Sequence, residues 1–314
     1  MLHGIALTYF VEVARTGSLA AASETLHVAV SAISRQIAKL ERGVGTALFE
    51  RLPRGMVLTP SGELLAQHAR RALLDGDTVL GEIASAQAIG AGMVRIGCTE
   101  GFTRDFLPRV LAEQHVRHPH TRFMLRAGTP QQVEQWVAHG EVDLGLSFST
   151  TTSALVAVEF SHAAPICALM PAGHALAMRP VVTLDEVLAY PLAILERGTT
   201  VRELVDWCCA IRGRHLEPLL TSNNSSAMHR FAVLSGAITL GSRIGLDDMA
   251  RDDAMVARPI DEPLLMERYV RLSVMKERRL APAIGALVGA LRVALTAALV
   301  PVPQAYLPYM SKLK

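Results

Sequence analysis

Apolar residues recur every three or four positions through the first forty residues. Leu7, Phe10, Val11 and Ala14 share one face of a helix predicted over residues 2–15. Thr16-Gly17-Ser18 breaks that pattern, with Gly17 as a turn and Ser18 as N-cap of a second helix over residues 19–26. The alanines of this second helix let a neighbouring helix approach closely. Residues 27–29 form a turn, and a third helix follows over residues 30–42. Ile33, Ile37 and Leu40 line one side of it, and Ser31, Ser34, Arg35 and Lys39 line the other. Residues 47–59 then alternate apolar anchors around Pro53-Arg54-Gly55, the pattern of a two-stranded hairpin with a basic tip.

A longer helical pattern begins at Thr59-Pro60, with Thr as cap and Pro at the first helical position. It runs over residues 61–88, with Leu65, Ala69, Leu73, Leu80 and Ile83 available to one stripe. At 1.5 Å per residue this helix is about 42 Å long, too long to be buried in one small domain. Gly76 and Gly81 weaken it, so a packing partner is expected, and a second copy of the chain would supply one.

Residues 89–92, Ile-Gly-Ala-Gly, break the composition and read as a linker. Beyond them the period switches between strand and helix. Strands are predicted at 93–98, 121–127 and 142–148, with helices at 104–118 and 130–139, a βαβαβ order that argues for a mostly parallel sheet. A second set begins near residue 166. It has strands near 166–170, 192–195, 216–221, 237–240, 255–259 and 269–274, helices near 184–189, 201–212 and 225–235, and a last helix over 282–299. The fold class expected is α+β multidomain. Residues 1–60 form a helical head, 61–89 a linker and dimerisation helix, 90–300 a two-lobed α/β domain, and 301–314 a Pro-containing tail.

Composition narrows the class. Of 314 residues 50% are hydrophobic and 19% charged, enough apolar surface for packed cores. The net charge of +2 neither requires nor excludes a nucleic-acid partner. No signal peptide or membrane span is read, so the cytoplasm is the expected compartment. Cys98, Cys167, Cys208 and Cys209 lack metal-ligand spacing; Cys208–Cys209 reads as a buried pair, with redox sensing as the alternative. No metal or cofactor is expected.

Two short helices joined by a tight turn, the second with an exposed polar and basic face, describe a helix-turn-helix. Such a helix fits a major groove about 12 Å wide. Ser31 and Ser34 are short enough to let its backbone approach the bases, and Arg35 and Lys39 can reach phosphates or guanine edges. On periodicity alone, a small bundle with a merely solvated polar face reads equally well. The hairpin tips the balance, because Arg51 and Arg54 would lie beside the recognition helix as a DNA-contacting wing.

The runs Phe10-Val11-Glu12-Val13-Ala14, Gly17-Ser18-Leu19-Ala20-Ala21-Ala22, Ser31-Ala32-Ile33-Ser34-Arg35-Gln36-Ile37, Leu48-Phe49-Glu50-Arg51 and Leu58-Thr59-Pro60-Ser61-Gly62 closely resemble LysR-type transcription regulators, in order and spacing. The resemblance implies a winged helix-turn-helix, a dimerising linker helix and a periplasmic-binding-protein-like sensing domain. Gly140-Glu141-Val142-Asp143 matches one of that domain's strands. It further implies double-stranded operator DNA, a small-molecule effector and a homodimer or homotetramer as partners; RNA polymerase is carried with them. Ser18, Val30, Ser31, Ala32, Ser34, Arg35, Lys39, Arg51 and Arg54 are the DNA-binding candidates. Ala29 and Val30 depart from the family's Ser-Gln, which removes an N-cap and alters one base contact; Val30 would meet a thymine methyl instead.

The effector is expected between the lobes, where strand ends meet helix N-termini. Thr99, Glu100, Thr129, Phe148 and Thr200 fall at the family's effector positions, and Gly128, Thr199 and Asn224 lie on the same loops. Glu100 has two readings: a cleft carboxylate that favours an amine or polyol, or a solvent-facing group that helps a helix N-terminus. Two other classes fit the sequence less well. An enzyme would need a nucleophile elbow, a phosphate loop or a metal motif, and none is read. An architectural DNA-binding protein would be far more basic.

Overall fold

The structure is a computed structural model and describes residues 4–53, 55–86, 92–151, 153–244, 246 and 255–299. The chain divides into two compact units, Met1–Gly90 with Glu277–Pro282, and Ala91–Lys276 with Ala283–Lys314.

In the first unit, α1 (Ile5–Thr16), α2 (Leu19–Leu26) and α3 (Val30–Val44) are followed by a hairpin of β1 (Phe49–Leu52) and β2 (Gly55–Leu58), then α4 (Pro60–Ala86). Phe10, Val13, Ala22, Ile33, Ile37, Leu48, Phe49, Ala66 and Ala69 close one core, with the Phe10 and Phe49 rings 5.2 Å apart. Ser18 caps α2 by accepting from Ala21 N, and Ala29 offers α3 no side-chain cap. The α3 helix runs two residues past the predicted end and stops at Gly45, which takes the left-handed conformation at φ 81°. His27 takes up the left-handed turn between α2 and α3 at φ 54°.

The hairpin is antiparallel, with Leu52 opposite Gly55. Gly55 admits no side chain, since a Cβ there would lie 2.5 Å from Gly17 O. That close approach carries the bond from Met56 N to Gly17 O, 2.8 Å, which ties the hairpin to the α1–α2 turn. Thr59 caps α4 by accepting from Gly62 N and donates to Ala47 O. The predicted stripe of α4 splits in two. Leu65 and Ala69 pack in the head core, while Leu80 and Ile83 are about half exposed.

The second unit has two mixed sheets. One has the order β4-β3-β5-β13-β6, the other β10-β9-β11-β7-β12-β8. The first contains β3 (Met93–Cys98), β4 (Arg122–Ala127), β5 (Leu144–Ser149), β6 (Val156–Ala163) and β13 (Tyr269–Met275), with α5 (Phe106–Arg117), α6 (Pro130–Ala138) and the last helix α10 (Pro282–Ala298). The second contains β7 (Cys167–Pro171), β8 (Val182–Thr183), β9 (Leu192–Leu195), β10 (Leu220–Ser222), β11 (Ile238–Gly241) and β12 (Met255–Asp261), with α7 (Leu184–Leu188), α8 (Thr200–Ile211) and α9 (Ser225–Ser235).

The three strands of the predicted βαβαβ run, β3, β4 and β5, are parallel as expected, but each sheet as a whole is mixed. β13 runs antiparallel to both β5 and β6, and β7 antiparallel to β11 and β12, because these strands carry the chain from one lobe to the other and back. Sequence reasoning passed over β6 and β8, and it extended β10 by four residues at its start, where 216–219 is irregular. Asp143 explains the Gly140-Glu141-Val142-Asp143 run structurally. It is 2% exposed and accepts from the Arg95 backbone N–H at 2.8 Å and the Arg95 guanidinium at 2.9 Å, clamping β3 to the start of β5.

The lobes are joined by two crossovers, residues 164–166 outward and 262–268 back. They bond to each other through Ala164 N to Arg268 O, 2.8 Å, and Ile166 N to Leu265 O, 2.9 Å. The tail 301–314, most of the 89–92 linker and the wing residue Arg54 lie outside the described residues.

Candidate functional site

On the head, amphipathicity orients α3. Ile33 and Ile37 are buried, which turns Val30, Ser31, Arg35 and Lys39 to solvent and leaves Ser34 and Ala32 half-buried. None of the side chains of Ser31, Ser34, Arg35 and Lys39 has a hydrogen bond or ion pair among the described residues. Arg51, on the hairpin, is likewise exposed and unpaired among them. Ser18 is different, because its hydroxyl is engaged as the α2 cap. Glu41 fixes the hairpin against α3 by accepting from Leu48 N, 2.9 Å, and Phe49 N, 3.4 Å. The result is a helix face of free donors with a basic hairpin held close to it.

In the second unit a cavity of about 500 Å³ lies between the lobes. All eight effector candidates line it: Thr99, Glu100, Gly128, Thr129, Phe148, Thr199, Thr200 and Asn224. Many are already occupied. Thr129 and Gln132 form a reciprocal cap on α6, so the Thr129 N–H is taken by the Gln132 side chain. With Pro130 next, α6 offers fewer free N–H groups than expected. Thr199 and Asn224 cap α8 and α9. Thr200 Oγ1 donates to Phe148 O across the lobes at 3.0 Å. Glu100 Oε2 accepts from Ser225 N at 2.9 Å, so its charge serves the N-terminus of α9 on the opposite lobe. Gly128 has no room for a side chain, since a Cβ would meet the Trp136 ring at 2.4 Å.

The wall also holds Arg268 and His229, which sequence reasoning missed. Arg268 precedes a strand with no flanking motif, and only the crossover geometry brings it to the cleft. His229 packs 3.4 Å from Arg104, and burial, aided by that cation, lowers its pKa to about 4. Burial raises Cys208 to about 12 and also raises Cys209, so both stay thiols, which disfavours thiolate redox chemistry there. Among the described residues no cluster of three His, Cys, Asp or Glu could hold a metal, and no helix is long and apolar enough to cross a membrane.

A head that presents a free polar helix beside a basic hairpin, followed by a two-lobed domain with a cleft, defines a DNA-binding protein with a built-in small-molecule receptor. Residues 6–63 match the bacterial regulatory helix-turn-helix of the lysR family, and residues 88–296 match the LysR substrate binding domain. The chain belongs to the LysR family of DNA-binding transcription regulators. It is 30% identical over 287 residues to the transcriptional dual regulator GltC of Bacillus subtilis, covering 88% of this chain and 92% of that one. Its fold is similar to full-length OxyR of Pseudomonas aeruginosa, with a TM-score of 0.63 at 20% identity, covering 92% and 94% of the two chains. It is also similar to full-length CbnR in complex with its target DNA, with a TM-score of 0.51 at 19% identity, covering 92% and 98%.

Proposed function

We propose that this regulator grips operator DNA with the outward face of α3, and that a small molecule between the lobes adjusts that grip. The observation that carries this reading is the row Ser31, Ser34, Arg35 and Lys39, exposed or half-exposed with no side-chain partner among the described residues. Val30 and Ala32 would meet thymine methyls, and Arg35 and Lys39 guanine edges or phosphate. Ser18 at the start of α2, and Arg51 and Arg54 of the wing, would hold backbone and minor groove. Residues 1–60 act as the head, 61–89 as the linker, 90–300 as the receptor and 301–314 as a tail.

Thr99, Glu100, Gly128, Thr129, Phe148, Thr199, Thr200 and Asn224 form the effector site. An effector that favours one lobe arrangement over another shifts the population by that difference in affinity. The half-exposed Leu80 and Ile83 on α4 support pairing with a second copy, as dimer or tetramer. The protein works in the cytoplasm, beside RNA polymerase, as a regulator and not as an enzyme.

Selection of bound duplexes from random DNA tests this reading. The expected product carries two related half-sites with centres about 10 bp apart or a multiple of that. Sequence-blind binding with steep salt dependence would point instead to an architectural protein.

A further inference from the structure

The cleft holds a cation that the fold leaves without a counter-charge. Arg268 is 2% exposed, yet no carboxylate among the described residues pairs with it. Its Nε donates to Ala164 O at 2.9 Å and its Nη2 to Pro165 O at 3.5 Å, while Nη1 has no acceptor among the described residues. Its guanidinium lies 4.4 Å from the centre of the Phe148 ring, which stacks on Phe102 at 4.4 Å. Burial pushes the guanidinium down to about 10, which still leaves it charged at neutral pH. A buried, uncompensated charge is costly, and a bound counter-ion relieves it.

Three further features on the same wall suit an anion. The Thr99 hydroxyl is buried with no hydrogen-bond partner among the described residues, on a residue 9% exposed. The N–H groups of Thr200 and Val201, the first of the twelve-residue helix α8, have no acceptor among the described residues. The Glu100 carboxylate, the obvious objection, is engaged by Ser225 N. Glu196 is exposed on the same wall, and with Glu100 it weighs against a doubly charged guest such as a phosphate monoester. The rest of the wall includes Phe148, Leu195, Val201, Met228, Leu240 and Ile244.

We infer that the effector is a small monocarboxylate with an apolar body, its carboxylate set against Arg268, Thr99 and the start of α8. This rests on the reading of the cleft as the effector site and names the ligand class for it. Arg268 also bonds the carbonyls of the outgoing crossover, so a carboxylate that pulls on its guanidinium acts directly on the hinge between the lobes.

The test titrates the full chain with butyrate, hexanoate and phenylacetate, each beside its neutral amide, by calorimetry and thermal shift. The acids are expected to bind and the amides to bind about 10-fold or more weakly, the ratio for losing a charged hydrogen-bond partner. Arg268→Gln should erase the preference for acid over amide. Arg268→Lys, which keeps the charge if the glutamine variant fails to fold, should retain the preference at lower affinity. Amides binding as well as acids, acid binding unchanged in Arg268→Gln, or no acid of the set binding at millimolar concentration would each overturn the inference. Amines or polyols binding in a manner lost in Thr99→Val would overturn the carboxylate while leaving the cleft as the effector site.

Discussion

The α3 face and the cleft are both rich in hydroxyls and cations, yet they use them in opposite ways. On the outward face of α3, Ser31, Ser34, Arg35 and Lys39 have no side-chain partner among the described residues. In the cleft, Thr129, Thr199, Thr200, Asn224 and Glu100 are committed to caps and cross-lobe bonds, and Thr99 and Arg268 keep unused donors. A polar residue type therefore says little about binding until its internal bonds are counted. On the proposed reading, the free groups would make the contacts and the bonded ones would hold the shape of the surface.

The largest expected effect sharpens the scaffold side of that contrast. Asp143→Ala removes the acceptor of both the Arg95 N–H and its guanidinium, bonds to a charged group worth about 1.5–3 kcal/mol each, and should destabilise the second unit by about 3 kcal/mol or more. Denaturant unfolding followed domain by domain should show the head's transition unmoved; a loss under 1 kcal/mol, the range of exposed pairs, would demote the clamp to a surface contact.

Next in size is a pH effect at the cleft. His229 has its pKa lowered to about 4 from 6.5, so the folded state resists protonation. Between those values the unfolded chain binds more protons, and stability falls as pH falls. The loss over that window should be about 2–3 kcal/mol, and His229→Gln should flatten it. An unchanged slope in the variant would remove His229 from the account. The smallest effect lies in the head. Ala29→Ser restores a cap to α3 and should stabilise it by about 0.5–1 kcal/mol in thermal unfolding, whereas a loss would mean that the α2–α3 turn cannot place the hydroxyl.

The head was legible almost residue by residue, because its periodicity, caps and turn glycines are local signals. Ile33 and Ile37 alone orient α3, and Gly17 and Gly45 end the helices they follow. The second unit was legible in element order and less so in sheet direction. Whether β13 runs parallel or antiparallel depends on which lobe the chain has just left, and no local residue encodes that. β6 alternates Val156, Val158 and Phe160 with Ala157, Glu159 and Ser161, a strand signal that was readable and was passed over. Arg268 could not have been found by pattern, since its place in the cleft follows from the pairing of two crossovers more than a hundred residues apart.

The claim under all of this is that the outward side of α3 reads DNA. The direct measurement is the affinity of Ser34→Ala/Arg35→Ala for the selected operator duplex, against the unaltered chain at the same salt concentration. A 10- to 100-fold loss, about 1–3 kcal/mol for base contacts, with an unchanged unfolding curve is the expected result. Equal affinity for the operator in the two proteins would contradict the account.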